Sequence, residues 1–120
     1  MAEEEMTLQG QSVGSVNEWY IGQAIEYFKL NYSYQYPVNG GRQRGGQVID
    51  FLVWKPPLPI PVYVQGDYWH SGARGVEDTL KQYTLEQDTK GQFDRPVLIW
   101  EHECETLEAA IAVVRERIGP

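Results

Sequence analysis

Asp50 is the residue of this sequence whose surroundings most need a chemical explanation. It lies within residues 48–53 (VIDFLV), a run that is otherwise apolar and typical of a strand buried on both faces. A carboxylate in such a strand is unfavourable unless it has a partner or its pKa shifts. We therefore expect a cation, a metal ion or a hydrogen-bond donor beside Asp50. The alternative is a strand acid that faces solvent on an open side of the sheet.

His70 could supply proton transfer near neutral pH. It ends residues 66–70 (GDYWH), which follow a predicted apolar strand. Loops at strand ends commonly carry catalytic residues, and histidine is the usual proton shuttle. A lone histidine is also a common structural residue, so both interpretations stay open. His102 stands between two glutamates and is expected at the surface.

Glu18 and Asp78 are acids in the first turns of two predicted helices. Ser15 and Glu18 have the spacing of a capping box, in which their side chains satisfy backbone N–H groups. Because Glu18 shares a helix face with Ile21 and Ile25, it also points toward the core, and a catalytic role is the alternative to capping. The helix dipole explains Asp78 equally well, since it favours acids near the N-terminus.

Hydrophobic periodicity predicts the elements that would position these side chains. Helices are predicted over residues 15–30, 76–88 and 106–118, and strands over 32–38, 47–54, 60–65 and 97–100. A glycine-rich hairpin loop is expected at residues 39–46. The order α-β-β-β-α-β-α predicts an α/β (α+β) fold with a mixed central sheet flanked by helices.

Length and charge narrow the function further. The 120 residues, 42% of them hydrophobic, suffice for one core. We place it in a single domain at 15–120, after a flexible acidic tail at 1–14. The net charge of −7 weighs against extensive contact with nucleic-acid phosphates. A local basic rim is still expected, from two arginines in the glycine-rich loop and two cations after His70: Arg42, Arg44, Arg74 and Lys81.

Cys104 is the sole cysteine of the sequence. A lone thiol excludes an internal disulfide and a multi-cysteine zinc site. No stretch approaches the roughly 20 apolar residues that span a bilayer, and residues 1–6 lack the apolar core of a secretion signal. The sequence therefore predicts a cytoplasmic protein without a membrane partner.

Two segments together resemble a known family. Residues 48–51 (VIDF) followed by 62–70 (VYVQGDYWH) are similar to the core of very short patch repair endonucleases, in the PD-(D/E)xK superfamily. Residues 78–81 (DTLK) and 97–103 (VLIWEHE) also resemble that family's second helix and last strand. The likeness covers roughly residues 16–118, and the turn at 66–70 is its most specific part. It implies a restriction-endonuclease-like core.

Phage homing endonucleases within that group carry the signature Glu, Asp, variable residue, His, Asp. Glu18, Asp50, Gln65, His70 and Asp78 match it in order, with Gln65 at the variable position. The resemblance implies hydrolysis of DNA phosphodiester bonds with Mg²⁺, for which Mn²⁺ is an expected substitute. A phage or a mobile element is the implied source, and the host cell cytoplasm is then the expected location.

The resemblance also implies a role for each residue. Asp50 and the main-chain carbonyl of Val64 would hold the metal ion, which suits Mg²⁺ because it prefers oxygen ligands and keeps several waters. His70 would act as general acid or base. Glu18 would orient water around the metal, and Asp78 would position His70 or a second hydrated site.

This chain departs from the common superfamily pattern in two ways. Residues 63–65 (YVQ) stand where most members have a carboxylate-x-Lys, although the repair branch also places an aromatic residue there. The zinc ligands of the repair enzymes and an appended DNA-binding module are missing. Two alternatives follow: a catalytically inactive nuclease-fold protein that binds or assembles with others, and a structure-specific nuclease acting as a homodimer. A homodimer or a larger protein partner would supply affinity that the acidic domain lacks.

Overall fold

The computed structural model describes residues 6–38, 47–66 and 91–119. Their elements, in chain order, are β1 (Thr7–Leu8), β2 (Gln11–Ser12), α1 (Val16–Tyr27), β3 (Asn31–Val38), β4 (Gln47–Trp54), β5 (Ile60–Gln65), β6 (Val97–Trp100), a 3₁₀ turn (Glu101–Glu103) and α2 (Leu107–Ile118). The predicted loop at 39–46 and the predicted helix at 76–88 lie outside the described residues.

The central sheet has four strands in the order β3-β4-β5-β6. The pairs β3–β4 and β4–β5 are antiparallel, and β6 runs parallel to β5. Tyr34 lies opposite Phe51 across the first pair, and Val62 lies opposite Val97 across the last. The prediction of an α+β fold with a mixed sheet is thereby confirmed.

The main core lies between one face of this sheet and both described helices. This helix-side cluster contains Ile21, Ala24 and Ile25 from α1, Ala110, Val114 and Ile118 from α2, and Phe51, Val53, Val62 and Ile99 from the sheet. A second cluster, built on Ile49, Leu52 and Tyr63, is separate from it. From Phe51 to Val53, successive residues of β4 feed the two clusters in turn, because successive side chains of a strand point to opposite faces. This alternation is interrupted at Asp50, since Ile49 and Phe51 join different clusters.

The two helices run in the same direction. At their N-terminal ends, the Asn17 side chain of α1 donates to the carbonyls of Glu101 (3.3 Å) and Cys104 (3.1 Å), just before α2 begins. At the other end, the Arg115 guanidinium of α2 lies 5.5 Å from the centre of the Phe28 ring, which follows α1. Both helices therefore begin where β5 and β6 end. We call this the site end of the molecule: the last residues of β5 and β6 and the first turns of α1 and α2.

The described part of the N-terminal region, from residue 6, corrects the prediction of a flexible tail over residues 1–14, of which residues 1–5 lie outside the described residues. Residues 7–12 form a small antiparallel hairpin, and Leu8 is only 1% exposed. The Gln9 side chain donates to the carbonyl of Tyr32 and accepts the N–H of Tyr34 at 2.9 Å. Leu8 fits against α1 because Gly22 there has no side chain. One apolar residue and one helix glycine, 14 positions apart, are too weak a pattern to recognise in a polar segment.

Candidate functional site

Asp50 lies where the β4–β5 ladder stops. Backbone pairing between these strands runs from Val53 and Ile60 to Phe51 and Val62. One residue further, the Asp50 carboxylate accepts the backbone N–H of Val64 at 2.9 Å. A side-chain oxygen has thus replaced the main-chain carbonyl that a continued ladder would offer. The sequence predicted that Asp50 would have a partner, and a backbone N–H of the next strand is one.

The direction of this N–H also determines where the Val64 carbonyl points. In a strand, the N–H and C=O of one residue face the same neighbouring strand. Since the N–H of Val64 faces Asp50, its carbonyl faces the side of β4 as well. The Val64 side chain packs against the helix-side cluster, out of the plane of the sheet. The hydrogen bond places the Asp50 carboxylate beside Val64, at a position between β4 and β5 that we call the Asp50–Val64 gap.

Tyr63 is a buried residue of β5, next along the strand to Val64. Burial raises the pKa of its phenol, and the nearby charge of Asp50 raises it further. The Tyr63 hydroxyl lies 3.3 Å from the side-chain oxygen of Gln47 and can donate to it. Tyr63 therefore stays a neutral phenol beside Asp50 at ordinary pH.

Glu18 is held on the helix side of the sheet. Its backbone N–H donates to the Ser15 hydroxyl at 3.2 Å, which is one of the two bonds of the predicted capping box. Its side chain accepts a hydrogen bond of 2.5 Å from the hydroxyl of Tyr34. The N–H of Gly14 donates to that same hydroxyl oxygen at 3.1 Å. Glu18, Tyr34 and Gly14 form a contact that we call the Glu18 cluster.

Burial sets the protonation of the Glu18 cluster. Burial raises the pKa of Glu18, and hydrogen bonds from Tyr34 and Gly14 lower it only in part, so the pKa stays above its usual value. Burial and the bond to Glu18 raise the pKa of Tyr34 to about 12. A carboxyl group in this position takes up a proton more readily than an exposed glutamate does. The cluster combines a neutral phenol with a carboxyl group that resists ionisation.

Gln35 separates the Glu18 cluster from Asp50. Its φ is +58°, an unusual left-handed conformation for a non-glycine residue. On either side of it, Tyr34 packs in the helix-side cluster and Tyr36 packs against the second cluster. On β4, Phe51 and Ile49 divide in the same way around Asp50. Glu18 is thus bonded to Tyr34, a residue of the helix-side cluster, and Asp50 is bonded to Val64 of β5.

The site end surrounds these groups with other polar features. Gln65 is the last residue of β5 and lies opposite Trp100 of β6. The first turns of α1 and α2 lie at this same end, and helix N-termini carry a partial positive charge that favours anions. Glu18 and Glu108 already occupy the first turns of the two helices.

Several predicted site residues lie outside the part of the chain that the structure describes. His70 and Asp78, proposed for catalysis, and the basic residues Arg42, Arg44, Arg74 and Lys81 all lie outside the described residues. Within 6–38, 47–66 and 91–119, no three His, Cys, Asp or Glu side chains come together as a metal-binding group. His102 is exposed in the 3₁₀ turn, as expected.

Sequence reasoning missed Tyr34, Gly14 and Gln35. Tyr34 belongs to an aromatic, alternating strand, a pattern that predicts packing but not a bond to a carboxylate. Nothing local in the sequence marks Gln35 for positive φ, because glycine and asparagine are the residues typical of that conformation.

Comparisons of the chain with protein-family models, with curated proteins and with solved structures gave no match. In the parts of the chain that are described, no helix is long and apolar enough to cross a membrane. Support for any function therefore comes from the geometry around Asp50 and from the sequence resemblance.

Proposed function

We propose that this protein is a metal-dependent DNA endonuclease that hydrolyses phosphodiester bonds with Mg²⁺ or Mn²⁺. The observation that supports it most is the hydrogen bond from the Val64 N–H to the Asp50 carboxylate, which places Asp50 beside the residue whose main-chain carbonyl would be the second ligand. This carboxylate and this carbonyl are the two protein ligands that the resemblance to repair-type and homing-type nucleases implies. A restriction-endonuclease-like core is part of the proposal, and the strand order and directions of the sheet agree with it.

The donor set of the gap suits Mg²⁺. This ion takes oxygen ligands and keeps several waters, so that one carboxylate and one carbonyl are enough when DNA phosphates supply the rest. The N–H of Val64 holds the Asp50 carboxylate in one orientation toward β5. A bound ion there would neutralise charge on the phosphate and lower the pKa of a water.

The remaining roles follow from the signature. His70 would exchange the proton of the attacking water or of the leaving group, and Asp78 would orient His70. Glu18 would order water near the phosphate from the helix side, with Tyr34 holding its carboxyl group in place. Because the pKa of Glu18 is raised, it suits proton exchange better than metal ligation. DNA is the partner, in the cytoplasm, with a homodimer or a larger complex supplying further affinity.

A second function is favoured by the same hydrogen bonds. The carboxylates of Glu18 and Asp50 both accept bonds from protein donors, as carboxylates with purely structural roles do. Under this alternative the protein is an inactive nuclease-fold component that binds or assembles with other molecules. The two functions differ in whether a divalent ion has any affinity for the folded chain.

Metal-dependent stability and DNA cleavage together separate these functions. Mg²⁺ should raise the melting temperature of the protein, because a ligand that binds only the folded state stabilises it. Asp50→Asn should abolish this rise while keeping an oxygen that can accept the Val64 N–H. The same variant and His70→Ala should each abolish cleavage of supercoiled, nicked or branched DNA at low salt.

The matched control is Glu105→Gln, which removes an exposed carboxylate just before α2. It should keep both the metal effect and the cleavage of the unmodified protein. A melting temperature indifferent to Mg²⁺ and Mn²⁺, with every DNA substrate left intact, would exclude the nuclease and leave the inactive component. A metal effect that Asp50→Asn retains would show that the ion binds elsewhere.

A further inference from the structure

A groove opens at the end of the sheet opposite the site end. It has a volume of about 380 Å³ and lies between the segment after β4, the segment before β6 and the C-terminal end of α2. Its lining includes three prolines together with Lys55, Ile60, Asp94, Arg95, Arg117 and Ile118. From Ile60 to Val64 the strand β5 spans about 13 Å, at roughly 3.3 Å per residue. The groove is therefore separate from the Asp50–Val64 gap. We call it the basic groove.

The charge of the basic groove contrasts with that of the chain. The described residues include five Lys and Arg side chains, and three of them, Lys55, Arg95 and Arg117, line this groove. Asp94 is the one acid in the lining. On a chain with a net charge of −7, this is a local concentration of positive charge. Such a concentration attracts anions and is costly unless something stabilises it.

Two of the three cations are held in place by the fold. The Lys55 ammonium donates to the carbonyls of Ile118 (2.8 Å) and Gly119 (2.5 Å) at the end of α2. This leaves one of its three N–H donors for another acceptor. Arg117 donates to the Leu98 carbonyl at 2.8 Å and pairs with Glu103. Both side chains are thus oriented before any ligand arrives.

Arg95 is different, because its guanidinium makes no ion pair with the described residues. Its backbone is well anchored: its N–H donates to the Asp94 carboxylate at 2.7 Å, and the N–H of Asp94 donates to the Pro59 carbonyl at 2.9 Å. Asp94 is therefore turned toward the backbone of Arg95. The five N–H donors of the exposed guanidinium match the oxygens of a phosphate group.

We propose that the basic groove binds a phosphate group, with Arg95 as the main donor and Lys55 as the second. Prolines and the edge of the core offer an apolar floor for the group that carries the phosphate. The volume is at the small end of the range for ligand sites, about 300–1,000 Å³. A phosphate monoester and one phosphodiester of a nucleic-acid strand present the same chemistry to these donors.

Binding is tested by titrating the full chain with phenyl phosphate while recording amide NMR shifts, at constant ionic strength set with sodium chloride. Saturable shifts should centre on the amides of Arg95, Val97 and Ile118. Arg95→Gln should weaken binding about tenfold, as expected for the loss of one charge-assisted pair. Arg95→Lys, which keeps the charge but not the planar guanidinium, should lose less.

The control is Arg115→Gln, an equal change of charge in the last turn of α2, at a residue that does not line the groove. It should change the affinity by less than about twofold, because the charge alone is screened within roughly 10 Å. Equal losses in Arg95→Gln and Arg115→Gln would overturn the proposal, since binding would then reflect net charge only. Shifts centred away from the groove would overturn it too.

A short oligothymidylate distinguishes the sources of the phosphate. If it binds more tightly than phenyl phosphate and Arg95→Gln weakens it equally, the groove accepts a nucleic-acid backbone. If only phenyl phosphate depends on Arg95, the groove accepts a small phosphate ester. If neither ligand depends on Arg95, the proposal is wrong.

Discussion

Glu18 shows how a single residue can satisfy two interpretations. The sequence predicts either a capping residue or a catalytic acid at this position. The fold adds the hydrogen bond from Tyr34 to the side chain of Glu18. That bond and the surrounding burial change the chemistry of the carboxyl group, because the charged form has lost much of its water. The consequence for stability can be measured whether or not the protein is a nuclease.

Glu18→Gln should change how stability depends on pH. Since the pKa of Glu18 is raised in the folded state, the folded chain binds its proton more tightly than the unfolded chain does. The unmodified protein therefore loses stability as the pH rises from about 4.5, the ordinary value, through the raised one. The glutamine variant lacks this loss. Its free energy of unfolding should therefore gain on that of the unmodified protein as the pH rises from about 4.5 through the raised pKa of Glu18.

The matched control is Glu108→Gln, in the first turn of α2, where the acid is exposed. It reports the effect of removing one negative charge from a helix N-terminus. The difference between the two pH profiles, measured by chemical denaturation, isolates the buried carboxyl group. Parallel profiles for the two variants would show that Glu18 carries no extra cost of ionisation in the fold.

At the scale of elements, the hairpin β1–β2 depends on a helix glycine. A Cβ atom built on Gly22 would lie 2.5 Å from both terminal carbons of Leu8 and 3.0 Å from its Cγ, closer than van der Waals contact allows. Leu8 is buried and its neighbour Gln9 is tied to β3 at two points, so the hairpin has little freedom to shift. The hairpin and α1 therefore pack as one unit.

Gly22→Ala should destabilise the protein although alanine is the better helix former. The gain in helix propensity is about 1 kcal/mol, and overpacking of a closed core costs about 1–3 kcal/mol. We expect a net loss in the free energy of unfolding by urea. In a Leu8→Ala background the clash disappears, and the same substitution should be neutral or stabilising. A stabilising Gly22→Ala in the otherwise unmodified chain would contradict close packing of the hairpin on α1.

At the scale of the whole molecule, the acidic character limits how a nuclease of this kind could hold DNA. The chain has 10 Lys and Arg against 17 Asp and Glu. The four cations that the sequence predicts as DNA contacts are Arg42, Arg44, Arg74 and Lys81, outside the described residues. Repulsion from the rest of the surface must be offset locally, by those residues, by the helix N-termini at the site end, or by a partner.

On the proposed function, the affinity for duplex DNA should fall with salt less steeply than it would if all the cations of the chain contacted phosphate. Four phosphate contacts correspond to a slope of log K against log salt of about −3.6, since each contact contributes about −0.9. Fluorescence anisotropy of a labelled duplex over about 50–200 mM salt measures this slope. A slope near −9 would require all ten cations to contact phosphate, and would show that the acidic surface is no obstacle.

The spans of the later strands and of the last helix followed from the sequence alone, whereas the β1–β2 hairpin was not predicted and α1 ends at Tyr27, before its predicted end at residue 30. The strands at 47–54, 60–65 and 97–100 coincide with β4, β5 and β6, and the last helix begins one residue after its predicted start, with Thr106 as cap. These features depend on periodicity and on capping residues within a few positions of each other. That is why a single sequence is enough to predict them, and why an acid inside a buried strand could be recognised as needing a partner.

Which distant residues contact each other within the chain was decided only by the tertiary structure. Val64 is 14 residues from Asp50, Tyr34 is 16 from Glu18, and the carbonyl that Lys55 caps is 63 residues away. The left-handed conformation of Gln35 and the packing of Leu8 against Gly22 were likewise decided only by the tertiary structure. Pairs so distant along the chain leave no local pattern, because their contact depends on how the sheet twists and how the helices pack upon it.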